Sequence, residues 1–141
     1  MSFAESSNLC ARVAAATTRV PGVRLAYVFG SRIGGRPRED SDLDVAVLYD
    51  RSLDVRGREE ARRDLLDALA EVLGALGERA DIVDLDRCDS AVAFAAIRNG
   101  RLAHARDEDE RIQLVSKIAR RYDDDAPTRT LFREAARKVA S

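Results

Sequence analysis

The chain has 141 residues and sets 24 Lys+Arg against 25 Asp+Glu, a formal net charge of −1. That length closes one hydrophobic core and not two. With 45% apolar and 35% charged residues the chain is too apolar for disorder and too charged for a membrane protein.

No apolar run approaches the ~20 residues that a bilayer span needs. The start, Met1-Ser2-Phe3-Ala4-Glu5, lacks secretory character. Cys10 and Cys88 are too few for a disulfide framework and lack the CxxC spacing of a zinc site. The expectation is a soluble cytoplasmic domain with no membrane partner. The even charge balance also argues against non-specific nucleic-acid binding, which needs a net basic surface. Lysine occurs only at Lys117 and Lys138, so almost all positive charge is arginine. Arginine suits bidentate phosphate contact, but biased base composition gives the same enrichment, and a solvated role is the default for most of these side chains.

In chain order, residues 4–20 read as a helix with Leu9, Val13, Ala16 and Val20 on one stripe, ended by Pro21-Gly22. Val23 to Phe29 is a β-branched and aromatic run of strand length. A turn-rich stretch from Gly30 to Ser41 follows, and Leu43 to Tyr49 reads as a second strand, apolar on both faces beyond Asp44. Residues 57–76 carry a helical stripe from Ala61 through Leu65 and Leu69 to Leu76, with Gly77 placed as the C′ glycine. Asp81 to Leu85 reads as a third strand, Ser90 to Arg98 as a short helix stopped by Asn99-Gly100, and Arg101 to His104 as a fourth strand.

Asp107 with Glu110 forms a capping-box-like start to a helix bearing Ile112, Val115, Ile118, Ala119 and Tyr122, broken by Asp123-Asp124-Asp125. Pro127 opens a last helix with Leu131, Phe132, Ala135, Ala136 and Val139 inward. The layout is an α/β (α+β) domain over residues 1–141, with a core over about 20–105, a small mixed sheet flanked by helices, and a helical tail over about 107–141.

The chemistry concentrates between Gly30 and Asp44. On a strand, alternation sends Asp42 and Asp44 to one face and Leu43 to the other. Two unit charges about 4 Å apart repel by about 4 kcal/mol at an effective dielectric near 20. A divalent cation compensates such a pair, and oxygen-only ligands favour magnesium or manganese. Gly30 lets a ligand approach the backbone, and the Ser31 hydroxyl with neighbouring N–H groups can hold phosphate oxygens. Together these describe a nucleoside triphosphate site bridged by a cation. It is not a Walker loop, since GxxxxGK[ST] is absent. A third carboxylate is expected from a neighbouring strand: Asp81 is the candidate and Asp84, of opposite parity, the fallback.

Gly30-Ser31, ten intervening residues, Asp42-Leu43-Asp44, then a helix and a strand bearing Asp81 resemble the minimal nucleotidyltransferases of the DNA polymerase β superfamily, and within it the MntA-type antitoxins of HEPN–MNT toxin–antitoxin pairs. The resemblance covers about residues 20–105. It implies a polymerase-β-like fold in which Gly30 and Ser31, with Arg32 beside them, bind the nucleotide. It implies that Asp42 and Asp44 ligate two magnesium ions, and that Asp81 ligates one of them and accepts the acceptor hydroxyl's proton. The implied activity is AMP transfer from ATP to a tyrosine of a HEPN ribonuclease toxin, which silences it. The family loop often carries an arginine where this chain has Gly34, and Arg32, Arg36 or Arg38 could replace that phosphate contact.

Other readings stay open: the same chemistry on a small molecule such as an aminoglycoside, transfer to an RNA 3′ end, or a non-catalytic toxin-binding module. The lone His104 reads as a strand-end surface or packing residue, Cys10 as a buried apolar group, Cys88 as an unactivated thiol, and Tyr27 and Tyr49 as packed strand residues.

Overall fold

The computed structural model describes residues 2–30, 42–127 and 133–135. Helix α1 (Phe3–Thr17) starts where the Ser2 hydroxyl accepts from the Glu5 amide at 3.2 Å. It stops three residues earlier than the apolar stripe suggests. The Thr17 and Thr18 hydroxyls turn back onto the carbonyls of Val13, Ala14 and Ala15, and the Arg19 and Val20 amides close tighter three-residue turns. Val20 remains buried beyond the helix end.

Strand β1 (Val23–Phe29) and strand β2 (Asp44–Tyr49) pair antiparallel at the centre of a four-stranded sheet. Strand β3 (Asp81–Asp84) runs parallel to β2 on one edge, and strand β4 (Arg101–Ala105) runs antiparallel to β1 on the other, giving the order β3-β2-β1-β4. The central position of β2 explains its apolar character on both faces, with every residue from Val45 to Tyr49 buried. An irregularity between Val23 and Leu25 breaks strict alternation in β1 and releases Arg24 toward Asp50 and Glu110.

Helix α2 (Val55–Leu73) is capped by Asp54, whose carboxylate accepts from the Gly57 amide at 2.8 Å. Its stripe of Ala61, Leu65, Ala68 and Leu69 packs with α1 residues Leu9, Val13 and Ala16 on one face of the sheet. Leu65 and Leu69 are fully buried, each contributing about 1.5–3 kcal/mol by burial.

The helix ends at Gly74, with φ of +61°, and not at Gly77; a short helix α3 (Ala75–Glu78) follows. Gly77 has a different task. A Cβ there would lie 2.0 Å from the Leu69 carbonyl oxygen, whereas one at Gly74 would meet nothing within 4 Å. Gly77→Ala is therefore expected to cost more stability than Gly74→Ala. The first must push the α2 and α3 backbones apart, an overpacking cost of about 1–3 kcal/mol or more. The second bears only the backbone penalty of a sparsely populated positive-φ conformation, about 1–3 kcal/mol. Denaturant unfolding of the two variants checks the order.

Helix α4 (Ser90–Asn99) and helix α5 (Glu108–Asp124) cover the opposite face, where Leu25, Tyr27, Ala46, Leu48, Leu114 and Ile118 pack together. Asp107 caps α5 by accepting from the Asp109 amide at 2.9 Å. Glu110 does not close a capping box: its carboxylate takes the Arg24 Nε–H at 2.8 Å. The inward stripe of α5 is also rotated from the expected one, with Leu114 buried and Ile112 half exposed at 50%. The aspartates do not break the helix until Asp125, and Tyr122 stacks on Phe94 with centroids 4.1 Å apart. In the tail, Ala135 is exposed and not inward. The other expected inward positions, Leu131, Phe132, Ala136 and Val139, lie outside the described residues.

His104 sits half-buried in β4 with its Nε2 buried and unpartnered, and burial followed by the charge of Arg106 depresses its pKa below the ordinary 6.5. The unfolded chain binds the proton more tightly, so the stability that His104 contributes is present above pH 6.5 and lost as pH falls through the depressed value. Unfolding free energies compared between about pH 8 and pH 5.5 are expected to show a smaller acid-side loss in His104→Leu than in the parent chain.

Candidate active site

Because β1 and β2 are antiparallel and β2 and β3 parallel, the end of β1 and the starts of β2 and β3 meet at one end of the sheet. Asp44, the first residue of β2, stands opposite Phe29 on one side and opposite Asp81 on the other. The Asp81 amide donates to the Leu43 carbonyl at 2.7 Å, which locks this register just outside the strand pairing. Leu43 enters the core with Val45 and Val47, so Asp44 points to the face it shares with Ala46 and Leu48. Asp42 and Asp81 are exposed and Asp44 is half-buried.

The Asp44 carboxyl is pushed above its ordinary 3.8, first by burial and then by the negative charges of Asp81 and Asp42. Three carboxylates therefore share one electrostatic neighbourhood. Among the described residues, however, no three His, Cys, Asp or Glu side chains stand close enough to form a finished metal cluster. The sequence places all three carboxylates around shared cations; the structure sets Asp44 opposite Asp81 and within the influence of the Asp42 charge. That repulsion, with an oxygen-only donor set, fits a hard divalent cation.

Gly30 directly follows β1 with φ of +85°. A Cβ at this position would fall 2.2 Å from Asp44 Oδ2 and 3.1 Å from its Cγ. The missing side chain thus makes room for a carboxylate, a role that the sequence reading, which gave Gly30 only to phosphate, did not find. Ser31, Arg32, Gly34, Gly35, Arg36 and Arg38 lie outside the described residues.

Asp84, the fallback third carboxylate, has other partners. Its Oδ1 accepts from the Asp86 amide at 2.9 Å, and its Oδ2 lies 3.6 Å from Arg58 Nη1. Arg62, one turn along α2, is gripped by Glu59 at 2.7 and 3.0 Å and still feels the charge of Asp81. Nothing local in the sequence marks either arginine, because the contact joins α2 to a strand some twenty residues away. Cys10 and Cys88 have thiols raised by burial, and Tyr27 and Tyr49 are packed in the two cores.

Residues 12–109 match a family model described as "Polymerase beta, Nucleotidyltransferase". Two curated relatives are each named protein adenylyltransferase MntA. The one from Aphanizomenon flos-aquae is 30% identical over 96 residues, covering 66% of this chain and 64% of that protein. The one from Shewanella oneidensis is 30% identical over 100 residues, covering 71% and 67%. The chain thus spans about two thirds of the length of the curated relatives it matches. Its fold is similar to that of a toxin–antitoxin crystallised with AMP-PNP, with a TM-score of 0.69, 23% identity, and coverage of 92% of this chain and 98% of that one. It is also similar to a chain in the structure of a tri-AMPylated Shewanella oneidensis HEPN toxin in complex with MNT antitoxin, with a TM-score of 0.62, 21% identity and coverage of 92% and 98%.

Proposed function

Because the chain belongs to the polymerase beta nucleotidyltransferase family, we propose that it is an antitoxin that transfers AMP from ATP to a tyrosine hydroxyl of a HEPN ribonuclease toxin. The observation that carries this reading is the pairing of Asp44 with Asp81 beside Gly30, with the charge of Asp42 acting on the same carboxyl. The MntA relatives and the AMPylated toxin complex support the choice of AMP and of a HEPN acceptor.

In this mechanism Asp42 and Asp44 would hold magnesium, with Asp81 completing the set. When bound, magnesium would supply positive charge to the phosphate oxygens and lower the acceptor hydroxyl's pKa. Gly30 and Ser31 seat the triphosphate through backbone N–H groups and the serine hydroxyl, and Arg32 adds a cation beside them. Asp81 takes the tyrosine proton as the phenolic oxygen bonds to the α-phosphorus. The bond from the α-phosphorus to the bridging oxygen breaks, and pyrophosphate leaves. Apart from that proton transfer, the chain's work is placement and fixed charge.

The test incubates the purified chain with each nucleoside triphosphate, magnesium and a HEPN ribonuclease toxin as acceptor, then maps the toxin by mass spectrometry. A gain of AMP on a tyrosine, with ATP preferred, is expected. No nucleotide on the toxin from any of the four triphosphates overturns the reading.

A further inference from the structure

Away from the carboxylates, a cleft of about 190 Å³ opens between the first turns of α2 and the edge strand β3. Three arginines line it, Arg58, Arg62 and Arg87, together with the acidic residues Glu59 and Asp84. Much of this charge is already committed. Arg62 is gripped by Glu59, and Asp84 Oδ1 accepts from the Asp86 amide. Arg58 is not satisfied in the same way. It is four-fifths buried, with a side-chain exposure of 20%; its Nη1 lies 3.6 Å from Asp84, beyond hydrogen-bond reach, and its Nε–H is buried with no partner. A largely buried guanidinium whose nearest carboxylate stands 3.6 Å away is incompletely compensated, and an anion in the cleft it lines would supply the missing charge. Arg87 stands exposed at the rim, and Tyr49 also lines the cleft. Burial and the charge of Asp84 push the Tyr49 hydroxyl up to about 12, so it keeps its proton and can donate.

We propose that this cleft is an oxyanion site, in which the side chains of Arg58 and Arg87 hold a phosphate group. The size suits one phosphate and not a whole nucleotide, since pockets that enclose drug-sized ligands run to about 300–1,000 Å³. The source is either inorganic phosphate or the phosphate of a nucleotide whose nucleoside projects outward. The site lies on the β3 flank, where Asp84 and not Asp81 lines the cleft, and it stands independently of the AMP-transfer reading.

The experiment titrates inorganic phosphate into the full chain by calorimetry at constant ionic strength, with chloride as the matched control. It uses the parent, Arg58→Gln, Arg87→Gln and Asp44→Asn. Saturable binding is expected in the parent and in Asp44→Asn, with affinities within about twofold of each other. Arg58→Gln and Arg87→Gln are each expected to weaken it by at least about tenfold, the scale of one charge-assisted hydrogen bond. Because Arg87 is exposed, its variant reports on binding without disturbing the core. AMP binding with the same arginine dependence supports the site and identifies a nucleotide as the source, whereas phosphate binding without AMP binding supports it and identifies the free anion. Heat no greater than with chloride, or undiminished binding in both arginine variants, overturns the proposal.

Discussion

Asp44→Asn is expected to abolish AMP transfer while leaving the fold as stable as the parent or more so. The carboxyl of Asp44 is raised above 3.8 by burial and by Asp81 and Asp42, so its charged form is the disfavoured one in the folded chain. The sign follows from linkage. The unfolded chain gives up this proton first, so the stability associated with Asp44 is full below 3.8 and is lost as pH rises through the raised value. At neutral pH the ionised carboxylate is a net strain, which asparagine removes. Stability at the expense of function is the usual signature of a site whose charges are assembled for a ligand. Activity should fall by at least about 10²- to 10³-fold, the scale on which a single preorganised transition-state partner acts. Thermal unfolding at neutral and at acid pH, beside mass-spectrometric AMP transfer, checks both halves. The stability gap between variant and parent should close toward acid pH, where the parent is protonated. A variant that keeps full transfer, or one that is destabilised at neutral pH with its fold loosened, removes Asp44 from the role proposed for it.

Gly30→Ala is expected to be nearly as damaging, by a different route. The backbone at φ of +85° suits glycine, and an L-side chain there costs about 1–2 kcal/mol. The added methyl would also fall 2.2 Å from Asp44 Oδ2, so the carboxylate must move. A shift of about 1 Å in a positioned catalytic group can cost about 10²-fold in rate, and a loss of that order or greater is expected in AMP transfer. A stability cycle separates the two costs. With Asp44→Ala as background the methyl no longer meets a carboxylate, and Gly30→Ala should cost only its backbone share, leaving a coupling of about 0.5–3 kcal/mol between the positions. Additive costs, or a Gly30→Ala chain with undiminished transfer, contradict the clearance role.

Much of this architecture was legible along the chain. Val23 to Phe29 forms the strand its β-branched run suggested, residue for residue, and the stripe through Leu65 and Leu69 faces the core as its period required. Misreadings cluster where one residue has two possible partners. Glu110 has the spacing of a capping box, yet the Arg24 guanidinium, brought from the start of β1, offers a charged Nε–H that both carboxylate oxygens share, a stronger partner than a backbone amide. Gly77 and Gly74 both sit near a helix end. Only the return of α3 onto the Leu69 carbonyl tells the glycine that turns the chain from the one that clears it.

The amino-acid order alone determined that Gly30-Ser31 closes one strand and Asp42-Leu43-Asp44 opens the next, and that alternation directs Asp44 away from Leu43. These are properties of period and spacing, and a chain carries them locally. Which acidic residue stands beside Asp44 was decided by the parallel register of β2 with β3, which sets Asp81 opposite it and leaves Asp84 to Arg58. That register depends on how α2 packs on the sheet between the two strands. Helix packing is a collective result of many buried side chains, and no single stretch of sequence contains it.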